Sequence, residues 1–305
     1  MKRTAMMFLT VAVASFVFAQ QPTPAKQNPP AGQSTSASQG AATATPPLGK
    51  RPPQAKTQAE FDAYKAAMAS MNDGSAMEKA ADDFATKFPD SELRVLLYRA
   101  AMHAYQSSNN ADKMLEMADK ELKLDPDDPE ALIGASEVTA ERTRDTDLDK
   151  DQRWADAQKE AQHALETVDT DLAIPANTPQ EKVDAYKGFL RSSAYSVLGT
   201  ISFSEEKYTD AEGYFHKSID AFPAQVDPVV VLRLAIALDK QGRYPDALKE
   251  ANHAVELTQE STTSGTLARR ERDRLLQLTG GSSPAPAAKP PAGTAPAPTP
   301  APPTH

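Results

Sequence analysis

The chain has 305 residues, a formal net charge of −9 and no cysteine. Disulfides, a thiolate nucleophile and cysteine-built zinc sites are therefore excluded. All 42 acidic residues lie within 57–279, together with 26 of the 33 Lys and Arg residues, so this part carries a net charge of −16. Such an acidic domain disfavours nucleic acids and anionic membrane surfaces as partners.

The N-terminus is typical of an export signal. Lys2 and Arg3 precede an apolar run over residues 5–18, and Ala19 precedes the polar Gln20. The run is about 21 Å long as a helix, which is short of a bilayer core of about 30 Å. We therefore predict cleavage between residues 19 and 20 and a periplasmic or secreted mature chain without a membrane span. An uncleaved inner-membrane anchor is the alternative.

Two proline-rich arms flank the acidic part. Residues 20–56 and 280–305 together hold 17 of the 25 prolines, and large apolar side chains are rare in both. Segments of this composition bury too little surface to offset their chain entropy. We predict two disordered arms around one domain at 57–279.

Within that domain the apolar residues recur every three or four positions, and alternating β-branched runs are missing. This period predicts an all-α domain. Residues 229–238 form the densest apolar run, and Gly242 is predicted to end its helix. Thr178 followed by Pro179 and Glu181 predicts a helix start, with threonine as the N-cap and proline in the first helical position.

The helices repeat along the chain. The segment from Tyr208 to Ala211 returns 36 residues later as Tyr244 to Ala247, and Trp154 to Ala157 has the same internal spacing. A fixed period of this length indicates a stack of helix pairs, in which each pair covers the apolar face of its neighbour.

These units resemble the tetratricopeptide repeat family. The fourth unit carries the family pattern of aromatic, small and proline positions at Tyr195, Leu198, Gly199, Tyr208, Ala211, Phe215 and Pro223. The resemblance implies a right-handed α-solenoid of about five helix pairs with a C-terminal capping helix. The repeats are predicted at about 58–91, 95–128, 129–169 with an insertion at 141–150, 192–225 and 228–261, and the cap at 265–278.

The repeat assigns packing roles. Small residues are predicted where the two helices of a unit cross, and Trp154, Tyr208 and Tyr244 are predicted to fill the gap to the next unit. In the cap, a leucine stripe is predicted to pack and the intervening charges to face solvent. The small residues are Ala81, Ala118, Ala157, Ala211 and Ala247, and the stripe is Leu267, Leu275, Leu276 and Leu278.

No catalytic or metal-binding pattern stands out. The five histidines lack the short ligand spacing of a metal site. The alternating aspartates at 145–151 lack the turn glycine and the closing glutamate of a calcium loop. Nucleophile-elbow, phosphate-loop and zinc-protease motifs are missing as well. We therefore expect no cofactor, no metal and no enzymatic activity.

The resemblance implies that the first helix of each unit lines a concave groove, which holds a peptide or protein partner. The family's carboxylate clamp is not expected, because Ser196, Thr200 and Phe203 occupy the corresponding region. Arg99 and Arg233 lie between apolar neighbours, so we expect their replacement to weaken a partner without unfolding the domain; pairing with acidic neighbours is the alternative. Mapping by repeat position places Arg99, His103, Gln106, Glu137, Glu141, Thr200, Phe203, Arg233 and Asp239 in the groove.

The predicted function is a non-enzymatic protein–protein interaction scaffold of the cell envelope. Two other hypotheses remain open at this point. The chain could be a structural component of an outer-membrane or envelope assembly complex, or an accessory subunit of an envelope enzyme. The sequence names neither the partner nor the oligomeric state.

Overall fold

The computed structural model describes residues 49–175 and 177–280. Eleven α-helices and one short 3-10 turn account for the secondary structure of these residues, apart from a single isolated β-bridge. The predicted all-α class is therefore confirmed. The helices are α1 Gln58–Met68, α2 Gly74–Lys87, α3 Arg94–Ser107, α4 Ala111–Leu122, α5 Pro129–Arg142, α6 Lys150–Thr167, α7 Gln180–Ser204, α8 Tyr208–Ala221, α9 Pro228–Lys240, α10 Tyr244–Glu256 and α11 Thr263–Leu278.

The helices form five consecutive pairs, α1–α2 to α9–α10, and α11 follows the last pair. Each helix packs on the next one in the chain, and the first helices of neighbouring pairs also meet, as α1 does with α3 and α5 with α7. Helices that pack mainly on the same and the neighbouring pair form a solenoid. The odd-numbered helices α1 to α9 line its concave side.

Side-chain caps define several helix starts. Asp128 and Asp227 each accept backbone N–H groups just before a proline that opens the helix, at α5 and α9. Gly242 lies just beyond α9 with φ of 74°, so it ends that helix as predicted. The predicted cap at Thr178 is wrong. Pro179 is the N-cap of α7, and the Thr178 hydroxyl instead donates to the Pro175 carbonyl at 2.7 Å.

The crossing points hold the predicted small residues. Ala81, Ala118, Ala157, Ala211 and Ala247 are all fully buried, as expected for residues at which helices approach closely. Trp154 is buried as predicted, whereas Tyr244 is 39% exposed. The prediction for Tyr244 is wrong because one helix, rather than a further pair, follows the fifth unit.

The cap packs through Leu275 of the predicted leucine stripe, together with two small residues that the stripe did not include. Gly265, Ala268 and Leu275 are buried in α11, while Leu267 and Leu278 are exposed. A Cβ at Gly265 would lie 1.9 Å from the Gln259 carbonyl oxygen, so the chain folds back too tightly for any larger residue. The predicted stripe is therefore confirmed at Leu275 and wrong at Leu267 and Leu278.

The fourth unit begins with an extension. Helix α7 has 25 residues and starts at Gln180, twelve positions before the predicted repeat start at 192. The connection from α6 packs into the core through Val168 and Leu172, each 1% exposed. This extension adds a turn-rich wall and two aromatic residues to the concave side.

The predicted N-terminal arm reaches into the described residues only at 49–56, which lie against the helices. The Lys50 ammonium contacts Asp125 at 2.6 Å and the Arg51 guanidinium contacts Glu92 at 2.9 Å. The backbone N–H of Lys50 donates to the Leu172 carbonyl at 3.1 Å. Disorder is thus the wrong prediction for 49–56, since basic residues there meet the acidic ends of the helix pairs. The predicted signal peptide at 1–19, the arm at 20–48 and the tail at 281–305 lie outside the described residues.

Candidate functional site: the concave cavity

One continuous cavity of about 1760 Å³ runs along the concave side. It is lined by the first helices of the units, by the connection between α6 and α7, and by the first turn of α11. Apolar side chains such as Leu96, Ile133 and Val230 form its floor, and polar side chains project from the same helices. A concave surface of this mixed kind suits an extended ligand rather than a small molecule.

Eight of the nine predicted site residues line this cavity: Arg99, His103, Gln106, Glu137, Glu141, Thr200, Phe203 and Arg233. Asp239 does not, because its carboxylate contacts the Arg274 guanidinium of α11 at 2.7 Å. The capping helix covers the last turn of α9, and mapping by repeat position takes no account of a helix outside the repeats. The assignment of Asp239 to the groove is therefore wrong.

Arg99 is held by three carboxylates. Its guanidinium contacts Glu121 at 2.9 Å, Glu130 at 3.3 Å and Asp128, and its side chain is only 13% exposed. Glu121 and Asp128 are almost completely buried. The five donor positions of a guanidinium allow several carboxylates to bind at once. We refer to Arg99, Glu121, Asp128 and Glu130 as the Arg99 cluster.

The Arg99 cluster shows opposed pKa shifts. Burial raises the pKa of Glu121 well above its usual value, although Arg99 acts in the other direction. Burial also acts to raise the pKa of Glu130, but Arg99 and a hydrogen bond from His103 outweigh it and the pKa is lowered. Arg99 thus serves to hold two units together, and the alternative of acidic pairing holds for this arginine.

Arg233 sits differently, near the middle of the cavity. Its guanidinium donates to the Thr200 hydroxyl at 2.8 Å and to the Glu141 carboxylate at 3.2 Å, and 31% of the side chain remains exposed. Glu137 lies one helical turn before Glu141. Within the described residues the Glu137 carboxylate makes no hydrogen bond or ion pair. An accessible arginine beside an unpaired acid can pair with both backbone and side-chain groups of a ligand.

Burial and the nearby Glu141 carboxylate raise the pKa of Glu137 to about 8, against a smaller lowering by Arg233. The folded pKa lies above the value of about 4.3 for an unfolded chain. Between about pH 4 and pH 8 the side chain of Glu137 therefore takes up a proton on folding. The stability that Glu137 contributes in its neutral form is present below pH 4 and lost as the pH rises through 8.

We expect Glu137→Gln to be more stable than the wild type at pH 8 by about 1 kcal/mol or more, a figure reduced for water in the cavity. The two proteins should have similar stability at pH 4.5, where both carry a neutral side chain at this position. Urea unfolding at both pH values measures the difference. A constant difference at the two pH values would contradict the raised pKa.

An aromatic pocket lies in the wall that α7 and α8 contribute. The Tyr186 and Phe189 rings stack with centroids 6.4 Å apart, and the Phe222 ring meets Phe189 edge-on at 6.2 Å. All three rings are half-buried and line the cavity. The repeat pattern does not predict this pocket, because residues 180–191 precede the predicted fourth repeat. The spacing of Tyr186 and Phe189 on one helical face was the available signal.

Neither a metal centre nor a membrane span is found in the described part of the chain. No group of three or more His, Asp or Glu side chains in residues 49–175 and 177–280 could hold a metal ion. Across those same ranges, no helix has both the length and the apolar character that crossing a bilayer requires.

Similarity to known proteins lies in the fold. No family model matches the chain, and no curated protein does. Among solved structures it is similar to pilF of Pseudomonas aeruginosa, at 17% identity and a TM-score of 0.49, covering 73% of this chain and 85% of that one. It is also similar to YrrB, described as a TPR protein with an unusual peptide-binding site, at 16% identity and a TM-score of 0.42, covering 66% and 85%. A TPR protein of Thermus thermophilus, TTC0263, is similar at 14% identity and a TM-score of 0.43, covering 71% and 99%.

Proposed function

We propose that this chain is an exported, non-enzymatic scaffold of the cell envelope, whose concave cavity binds an extended segment of a protein partner. Its fold is a solenoid of tetratricopeptide type, with helix pairs that leave their first helices open to a ligand. The observation that carries the proposal is the union, in one cavity, of the aromatic pocket and the accessible Arg233.

These features suit an extended peptide. The aromatic pocket accepts an apolar or proline side chain and supplies rigid contact area at a small entropic cost. Arg233 and Thr200 can pair with the peptide backbone, which needs partners once it leaves water. A basic ligand side chain at the neighbouring position would stabilise the ionised form of Glu137, which burial disfavours. A basic segment is also what the net charge of −16 over 57–279 attracts.

Peptides selected from a displayed random library against residues 20–305 should test this directly. We expect Phe189→Ala and Arg233→Ala each to weaken the selected peptide at least tenfold by calorimetry, because each removes a central contact. Lys249→Ala is the matched control, since its side chain is 82% exposed on the other helix of the fifth unit. Its affinity should stay within twofold of wild type.

Two results would contradict the proposal. One is a selected peptide whose affinity is unchanged in both cavity variants while their melting temperatures are also unchanged. The other concerns export: intact mass spectrometry of the protein from its host should show a chain that begins at Gln20. A chain that retains residues 1–19 in the membrane pellet would replace export by anchoring.

A further inference from the structure

Residues 49–56 run along the rim of the cavity. From Lys56 back to Gly49 the chain passes the ends of successive units, since Lys56 donates to the Asp90 carbonyl at 2.6 Å and the Lys50 ammonium reaches Asp125. Pro52 and Pro53 line the cavity on the way. The segment therefore leads from the first unit toward the third and fourth.

Gly49 fixes the point from which the preceding chain continues. A Cβ there would lie 2.3 Å from the Leu172 carbonyl oxygen and 3.5 Å from Cδ1 of Ile174, so the backbone is pressed against this wall. Leu172 and Ile174 line the cavity and pack in one cluster with Tyr186 and Phe189. The described chain therefore begins at the cavity wall, beside the aromatic pocket.

We propose that residues 20–48 occupy the concave cavity of their own chain when no partner is bound. This inference rests on the proposed function, since it assigns an internal competitor to the same cavity. The nearest residues, Pro46, Pro47 and Leu48, are those that would reach the aromatic pocket first. Proline-rich segments bind aromatic-lined grooves because they lose little conformational freedom there.

Composition and charge agree with this occupant. Residues 20–48 contain six prolines, one lysine and no acidic residue, so nothing in them repels Glu137 and Glu141. The two prolines that follow, Pro52 and Pro53, already lie in the cavity wall. The proline-rich sequence thus continues from the described wall into the proposed occupant.

Tethering makes even a weak contact effective. Pro46, Pro47 and Leu48 are joined directly to Gly49 at the cavity wall, and short tethers give effective concentrations in the millimolar range. A free segment with a Kd of about 0.1 mM would therefore occupy the tethered cavity about ten times out of eleven. A partner would then bind roughly tenfold more weakly than to an empty cavity.

The test uses the mature chain, residues 20–305, and the library-selected peptide. Replacing Pro46, Pro47 and Leu48 together with alanine should tighten that peptide about five- to tenfold, because the internal competitor is weakened. Alanine at Pro296, Pro298 and Pro300 is the matched control in the C-terminal tail and should leave the affinity unchanged. A gain in the tail variant instead would assign the cavity to the tail and overturn the proposal.

A synthetic peptide of residues 20–48 provides a second measurement. It should bind the Pro46, Pro47 and Leu48 triple variant with a Kd of about 0.1 mM, bind the unmodified chain several-fold more weakly, and lose binding when Phe189→Ala is added. No binding up to about 1 mM, ten times the expected Kd, together with an unchanged affinity for the selected peptide, would overturn the inference alone. The proposed function would then stand, because the selected peptide would still depend on Phe189. A triple-variant affinity that depends on protein concentration would point to a second copy and would also overturn it.

Discussion

Replacing Arg99 with alanine should lower the free energy of unfolding by about 3–5 kcal/mol. The guanidinium contacts three carboxylates in the Arg99 cluster, and two of them, Glu121 and Asp128, are almost fully buried. Removing the guanidinium leaves the negative charge of these acids without a partner. The protein interior solvates such a charge poorly, so the folded state is destabilised. Urea unfolding followed by circular dichroism measures the loss.

A matched control exists in Arg191. It also pairs with an aspartate, Asp169, at 2.6 Å, but 34% of its side chain and 59% of the aspartate are exposed. Solvent screening makes such a pair worth about 1 kcal/mol or less. We therefore expect Arg191→Ala to be mild. Equal losses in Arg99→Ala and Arg191→Ala would show that the Arg99 cluster is not a buried anchor.

The loss in Arg99→Ala should also depend on pH. Arg99 lowers the pKa of Glu130, so this pairing contributes stability above the unfolded pKa and the contribution is lost as the pH falls through the folded one. The folded pKa of Glu130 is about 2, so we expect the difference between wild type and Arg99→Ala to persist down to about pH 4 and to shrink between pH 4 and pH 2. An Arg99 variant is for this reason a poor probe of partner binding, and Arg233→Ala is the better one.

The second large effect is expected at Phe215 of α8, whose side chain is fully buried against α7 and packs in one cluster with residues of α9 and α10. Phe215→Ala should lower the free energy of unfolding by about 3–5 kcal/mol through lost burial and the cavity that remains. The adjacent His216 has a side chain that is 51% exposed, so His216→Ala should change stability by about 0.5 kcal/mol or less. Similar losses at the two positions would contradict the assigned face of α8.

Gly199 of α7 faces the Phe215 ring and provides a second test of this packing. A Cβ at Gly199 would lie 2.5 Å from the Phe215 ring, so Gly199→Ala alone should destabilise by about 1–3 kcal/mol through overpacking. In the Phe215→Ala background the obstacle is gone, and the same change should stabilise by up to about 1 kcal/mol because alanine favours the helix. A double-mutant cycle measures this change of sign. Additive effects would mean that the ring and the glycine do not touch.

The tertiary structure decided which predicted residues are available to a ligand. Arg99 and Arg233 occupy comparable polar positions on first helices, yet Arg99 is enclosed by carboxylates from α4 and α5 and Arg233 keeps an open side. Asp239 does not line the cavity, because its carboxylate contacts Arg274 of the capping helix. Both outcomes depend on contacts between side chains of different helices, and a repeat period does not predict those contacts.

What the sequence by itself determined was the architecture. The three-to-four-residue period required helices, the 36-residue spacing required stacked pairs, and a small residue at each crossing followed from the close approach of two helices. These are local or nearest-neighbour constraints, which every unit carries in its own residues. The aromatic pocket, the Arg99 cluster and the course of residues 49–56 arise instead from contacts between segments far apart in the chain. Only the folded chain brings those segments together, so only the tertiary structure could decide them.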